Sequence, residues 1–154
     1  MRKTILLGFV ALSGLASAQT DGGAMKAGQW EEISSLAMVS VGGDKPVEVI
    51  SAQTNSEKNC YSEEQMREGA MLRDGAGPEC EVTALKFEGG KVHMEGHCEF
   101  EQGASFEGSF DGTYTPTRMH LSGALKSAGM RMKTELRITL DARHLGDTCK
   151  PDKD

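Results

Sequence analysis

The chain has 154 residues, with 23 Asp and Glu against 17 Lys and Arg, a formal net charge of −6 and four cysteines. An acidic chain is a poor partner for nucleic acid or an anionic membrane surface, so neither is expected. The length suits one domain with its own core.

Residues 1–18 read as a signal peptide: Arg2 and Lys3, the apolar run ILLGFVALSGL, then Ala16-Ser17-Ala18 as a cleavage site. The run is too short for a retained membrane helix. No cysteine follows the cleavage site, so no lipid or membrane anchor is expected, and the mature chain is placed in the periplasm or secreted. Loss of Arg2 and Lys3 takes the formal charge from −6 to −8. Residues 19–27 look like a flexible lead-in, 28–149 like a single β domain, and 150–154 like a charged tail.

A strand is expected over Gln29 to Val41, then a turn at 42–46 and a strand in VEVISAQ. Ser62-Glu63-Glu64-Gln65 has the capping-box pattern, which predicts one short helix at about 62–69, stopped by Gly69. Residues 73–79 read as loop. Beyond Cys80 almost everything reads as strand.

In FEGSFDGTY (106–114) the even positions alternate aromatic side chains and glycine, and MRMKTELRITLDA (130–142) alternates apolar with charged residues. Such period-two patterns predict antiparallel strands with one buried and one wet face. Hairpin loops at 88–90, 102–104, 115–118 and 126–129 would set Val82, Gly96, Phe110, Gly123 and Met132 in one row. Glycines in that row would lie beneath bulky neighbours and let the sheet coil. The fold class is therefore all-β: an antiparallel meander of about seven strands, strongly curved or closed into a small barrel, with one short helix.

Four cysteines in an oxidising compartment predict two disulfides. The hairpin register opposes Cys80 and Cys98, which leaves Cys60 with Cys149.

Several features together resemble the proteobacterial domain-of-unknown-function family 3617. They are the signal peptide, Lys26-x-Gly28-x-Trp30, Cys60 before a short helix, the Cys80-strand-turn-strand-Cys98 unit, Met-rich strands, and Arg143-x-Leu145-Gly146 before Cys149. The resemblance covers residues 25–149. His144 and Thr148 depart from the usual ending. It implies a small exported β-rich domain, and brings no activity and no functional residues.

His93, Glu95 and His97 share a face, with Glu81 opposite His97, and these residue types ligate zinc. His93 and His97 stand about 13 Å apart along a strand and cannot share an ion, so the face reads as solvated surface. Met94, Met119, Met130 and Met132 are of the type that ligates Cu(I), but read as core filler. No metal or cofactor is expected. The sequence carries no G-x-S-x-G, H-E-x-x-H or phosphate-binding loop, and no enzyme is expected. Trp30 reads as a plug at one end of the curled sheet in preference to a ligand-stacking anchor.

The expected function is a non-catalytic binding module for an apolar small molecule on the curved inner face. That reading uses the small residues Ala84, Gly96, Gly108, Gly112 and Gly123, with Trp30, Met94, Phe110, Tyr114 and Met132 as candidate ligand-facing residues. The alternative is an envelope structural or interaction protein whose core is filled. A ligand calyx needs a void of about 300 Å³ or more.

Overall fold

A computed structural model describes residues 23–42, 47–100, 103–128 and 133–149. The predicted signal peptide, the tail beyond Cys149, and Met130 and Met132 lie outside these described residues. Seven strands form one antiparallel sheet: β1 (Gly28–Ser40), β2 (Glu48–Tyr61), β3 (Cys80–Glu88), β4 (Lys91–Glu99), β5 (Ser105–Thr115), β6 (Arg118–Ala128) and β7 (Thr134–Gly146). Two helices, α1 (Glu63–Glu68) and α2 (Ala70–Asp74), lie between β2 and β3. The spatial order is β2-β1-β7-β6-β5-β4-β3, so the β1–β2 hairpin docks on the last strand.

The sheet is not closed. Strands β2 and β3 are its two edges, and no ladder joins them among the described residues. Residues of both edges nonetheless line one interior cavity. The sheet therefore coils until its edges face each other, with the helical segment across the gap. Of the two expected forms, strongly curved or closed into a small barrel, closure is not found: the sheet is open, and residues 62–79 between β2 and β3 form two helices and a loop.

Ser62 caps α1 as expected: its hydroxyl accepts from the Gln65 N–H at 3.2 Å, and the Gln65 side chain accepts from the Ser62 N–H at 2.8 Å. Gly69 ends that helix in the left-handed region (φ 73°). The chain then turns directly into α2, a second helix beyond the one expected, whose last residues fall where a loop is expected from the sequence. Ala70, Met71, Leu72 and Arg73 are good helix formers, and the helix buries Met71 and Leu72 against the sheet.

The two edge hairpins show how register is set. Gly89 (φ 56°) and Gly90 (φ 77°) make a two-residue turn, so Glu88 pairs with Lys91. The ladder shifts between Val82 and Ala84, and this irregularity restores the predicted pairs Cys80–Cys98 and Val82–Gly96. It also puts Leu85, not Ala84, opposite Met94. Ala84 is exposed and Leu85 packs on the core, which corrects the inward placing of Ala84.

Phe110–Gly123 and Gly112–Leu121 pair as expected between β5 and β6. In the β4–β5 and β6–β7 ladders the register moves by even steps. Met94 pairs with Phe110 and Gly96 with Gly108, two residues from expectation, because the β4–β5 loop spans 100–104 and closes on a Phe100 N–H to Ala104 carbonyl bond of 2.9 Å. Gly123 pairs with Ile138 and not Met132, a shift of six, because β7 begins at Thr134.

The predicted lead-in is tied down at its end. The Lys26 N–H donates to the Pro116 carbonyl at 2.9 Å and Met25 packs against the core. Trp30 is fully buried, its indole N–H donates to the Lys26 carbonyl at 2.9 Å, and His144 meets it edge-on at 5.4 Å between ring centroids.

Two disulfides are present, Cys80–Cys98 and Cys60–Cys149. The first joins β3 to β4. The second fastens the end of β2 to the segment after β7.

Candidate functional site

The inner face carries a cavity of about 250 Å³, partly open to solvent. Its floor is apolar: Met94, Phe110, Leu121 and Leu125, all buried, with Ile138 and Leu140 beside them. Strands β1 and β2 supply one wall through Glu32, Ser34, Asn55 and Glu57, and β3 supplies the other through Cys80, Glu81 and Val82. Met71, Leu72, Gly75 and Ala76 cover it from the helical segment. At about 250 Å³ the void falls short of the roughly 300 Å³ expected of a ligand calyx, so it has room only for a guest smaller than a drug-sized molecule.

The mid-strand glycines Gly108, Gly112 and Gly123 do not create this space. A Cβ at Gly108 would collide with the Ala124 carbonyl oxygen, one at Gly112 with the His120 carbonyl oxygen, and one at Gly123 with the Ser109 carbonyl oxygen. At these positions strands β5 and β6 press together backbone to backbone, which gives the sheet its coil. Gly96 is different. A Cβ there would meet the Glu81 oxygen at 3.6 Å and the Leu125 and Phe110 side chains at 3.9 Å, ordinary contacts at the cavity wall. Of these four glycines, Gly96 alone could take a Cβ without displacing backbone, and it lies against the void.

The residue of most chemical interest is Glu32, which is only 9% exposed. Its Oε1 accepts from the Tyr61 hydroxyl at 2.8 Å and from Asn59 Nδ2 at 3.1 Å. No described residue donates to Oε2, and no buried side-chain oxygen or nitrogen among them lacks a partner. Oε2 therefore keeps some accessible surface, and Glu32 is among the residues that line the cleft.

Burial pushes the Glu32 carboxyl above its ordinary value of 4.5; the bonds from Tyr61 and Asn59 oppose this, while the charges of Glu57 and Asp74 add to it. Burial and the Glu32 bond likewise push the Tyr61 hydroxyl up, so it stays protonated and donating. The linkage sign follows directly. Between pH 4.5 and the raised folded value the native state holds a proton that the unfolded chain releases, so stability falls as pH rises through that window. Glu32→Gln is expected to remove this contribution. Urea melts at a series of pH values should show a flatter profile for the variant, and superimposable slopes would contradict the assignment.

Of the predicted ligand-facing residues, Met94 and Phe110 line the cleft. Trp30 does not: it is sealed behind Lys26 and His144. Tyr114 stacks edge-on with Phe87 at 5.3 Å and borders two surface hollows instead. Met132 lies outside the described residues. Glu32 was missed, although a strict period-two reading of β1 puts it in phase with Trp30, Ser34, Leu36 and Met38.

The outer face is a lattice of polar pairs. His93 Nδ1 lies 2.8 Å from Asp111, and His120 Nδ1 lies 2.8 Å from Asp141. The Asp111 bond raises the His93 pKa. Glu81 stands opposite His97, as the register required. Among the described residues no three His, Cys, Asp or Glu side chains gather into a metal-binding group. Met94 and Met119 are buried in different rows, beside Phe110 and Tyr114 respectively.

Fold and cleft together define a disulfide-stapled, coiled antiparallel β domain with an apolar interior hollow and, among the described residues, one buried carboxylate at its wall. The chain belongs to the family described as protein of unknown function DUF3617, whose model matches residues 25–149. No curated protein and no solved structure matches it.

Proposed function

We propose that the protein is an exported, non-catalytic binding module that holds one small, mainly apolar molecule between the facing edges of its sheet. The supporting observation is the cavity of about 250 Å³, floored by buried Met94, Phe110, Leu121 and Leu125 and reachable from solvent. An apolar void of this size forfeits dispersion contacts while it is empty, and an apolar guest restores them. Export draws on the two disulfides, which persist in oxidising compartments, and on the leader pattern of residues 1–18. No helix among the described residues is long and apolar enough to cross a membrane.

Titration with an apolar fluorescent probe tests the reading. Saturable binding at one site is expected, and Phe110→Ala, which enlarges the floor, should change the affinity more than His97→Ala on the opposite face. A filled-core protein would bind no probe, and Phe110→Ala would then only cost stability, about 3–5 kcal/mol. In that event the interaction reading gains, with Val47, Val49 and Ile50 exposed around the start of edge strand β2.

A further inference from the structure

The cleft walls carry charge of one sign. The carboxylates of Glu32 and Glu57, paired across β1 and β2, face the cleft, and among its lining residues there is no Lys, Arg or His; Glu81 touches it through its backbone, its side chain lying beside His97 on the outer face. Glu32 is the one that is nine-tenths buried, with one oxygen fixed by Tyr61 and Asn59 and no described donor to the other. A carboxylate withdrawn from water without a countercharge is costly, and the same low-dielectric surroundings strengthen its bond to any cation that arrives. Holding Oε1 in place also fixes the direction of Oε2, so little ordering remains to be done on binding.

We infer that the occupant of the cleft is an apolar molecule bearing a protonated amine, with its chain on the Met94–Phe110–Leu125 floor and its ammonium donating to Glu32 Oε2. The inference rests on the cleft being a binding site and adds the class of ligand. An ammonium fits better than a hydroxyl because it neutralises the carboxylate as well as bonding it. A carboxylate-headed chain is disfavoured by repulsion from Glu32 and Glu57.

Isothermal titration at neutral pH with octylamine, 1-octanol and octanoate separates the possibilities. The amine is expected to bind at least about tenfold more tightly than the alcohol, as a charge-assisted bond to a buried group implies, and octanoate should not bind. Glu32→Gln should bring the amine down to the level of the alcohol. Ser34→Lys, which places an ammonium on the same face of β1 as Glu32, provides a second variant and should also abolish the preference. Equal binding of amine and alcohol to the wild type would overturn the ligand class and leave the apolar cleft standing. A preference that survives Glu32→Gln would overturn the role of Glu32 and move the attraction to Glu57. Binding of none of the three would overturn the cleft reading itself.

Discussion

Replacing Cys60 and Cys149 together by serine is expected to lower stability by about 4.5 kcal/mol, because the bridge closes a loop between residues 89 apart in sequence. Net stabilities of domains of this size are about 5–15 kcal/mol, so the double variant sits near the edge of folding. The topology makes this bridge more consequential than the shorter one. β2 is an edge strand whose only ladder is with β1, and much of its length is exposed on both faces. Cys60 secures it at the end where the chain turns into the helices that cover the cleft. Loss of Cys80–Cys98, between residues 18 apart in already paired strands, should cost about 3 kcal/mol. Urea unfolding of both double variants checks the order, and a smaller loss for the Cys60–Cys149 pair would contradict it.

The second large effect is expected at Gly112. A side chain there must displace the backbone of β6, since its Cβ would fall on the His120 carbonyl oxygen and lie within 2.9 Å of the Leu121 Cα. Backbone held in a ladder between β5 and β7 has nowhere to retreat. Gly112→Val should therefore destabilise by about 3 kcal/mol or more, at the upper end of overpacking. Gly96→Val is the matched control, with only ordinary contacts awaiting its Cβ, and should stay within about 1 kcal/mol of wild type. Thermal melts that rank the two variants the other way would show that the coil of β5 and β6 is not what the glycines serve.

Alternation in β4 to β7 made the faces of the sheet readable from residues alone. The register was less so, for a physical reason: a period-two pattern determines parity, and a strand slid by two or six residues keeps every apolar side chain inward. That is why Phe110 faces Met94 and Ile138 faces Gly123 with no residue changing face. Cys80–Cys98 survived because the irregularity near Thr83 offset the shorter turn. β2 extends to Tyr61 although its sequence, SAQTNSEKN, carries little strand propensity, because pairing with β1 supplies what the side chains do not. α2 is too short for any periodicity to show. Glu32 was hidden by its own chemistry, since a carboxylate at an inward position looks like a lapse in the pattern until Tyr61 and Asn59 are seen to hold it.

A single substitution distinguishes an interior built to be occupied from one that is merely loosely packed. Gly96→Leu extends a side chain from the cleft wall, where a Cβ has room, into the void beside Phe110 and Leu125. Equilibrium titration of the apolar probe into wild type and Gly96→Leu is the most direct measurement. Saturable binding to the wild type, abolished in a variant that melts at or above the wild-type temperature, is the expected result. Equal probe binding by both proteins, or binding by neither, would contradict a ligand site in the cleft.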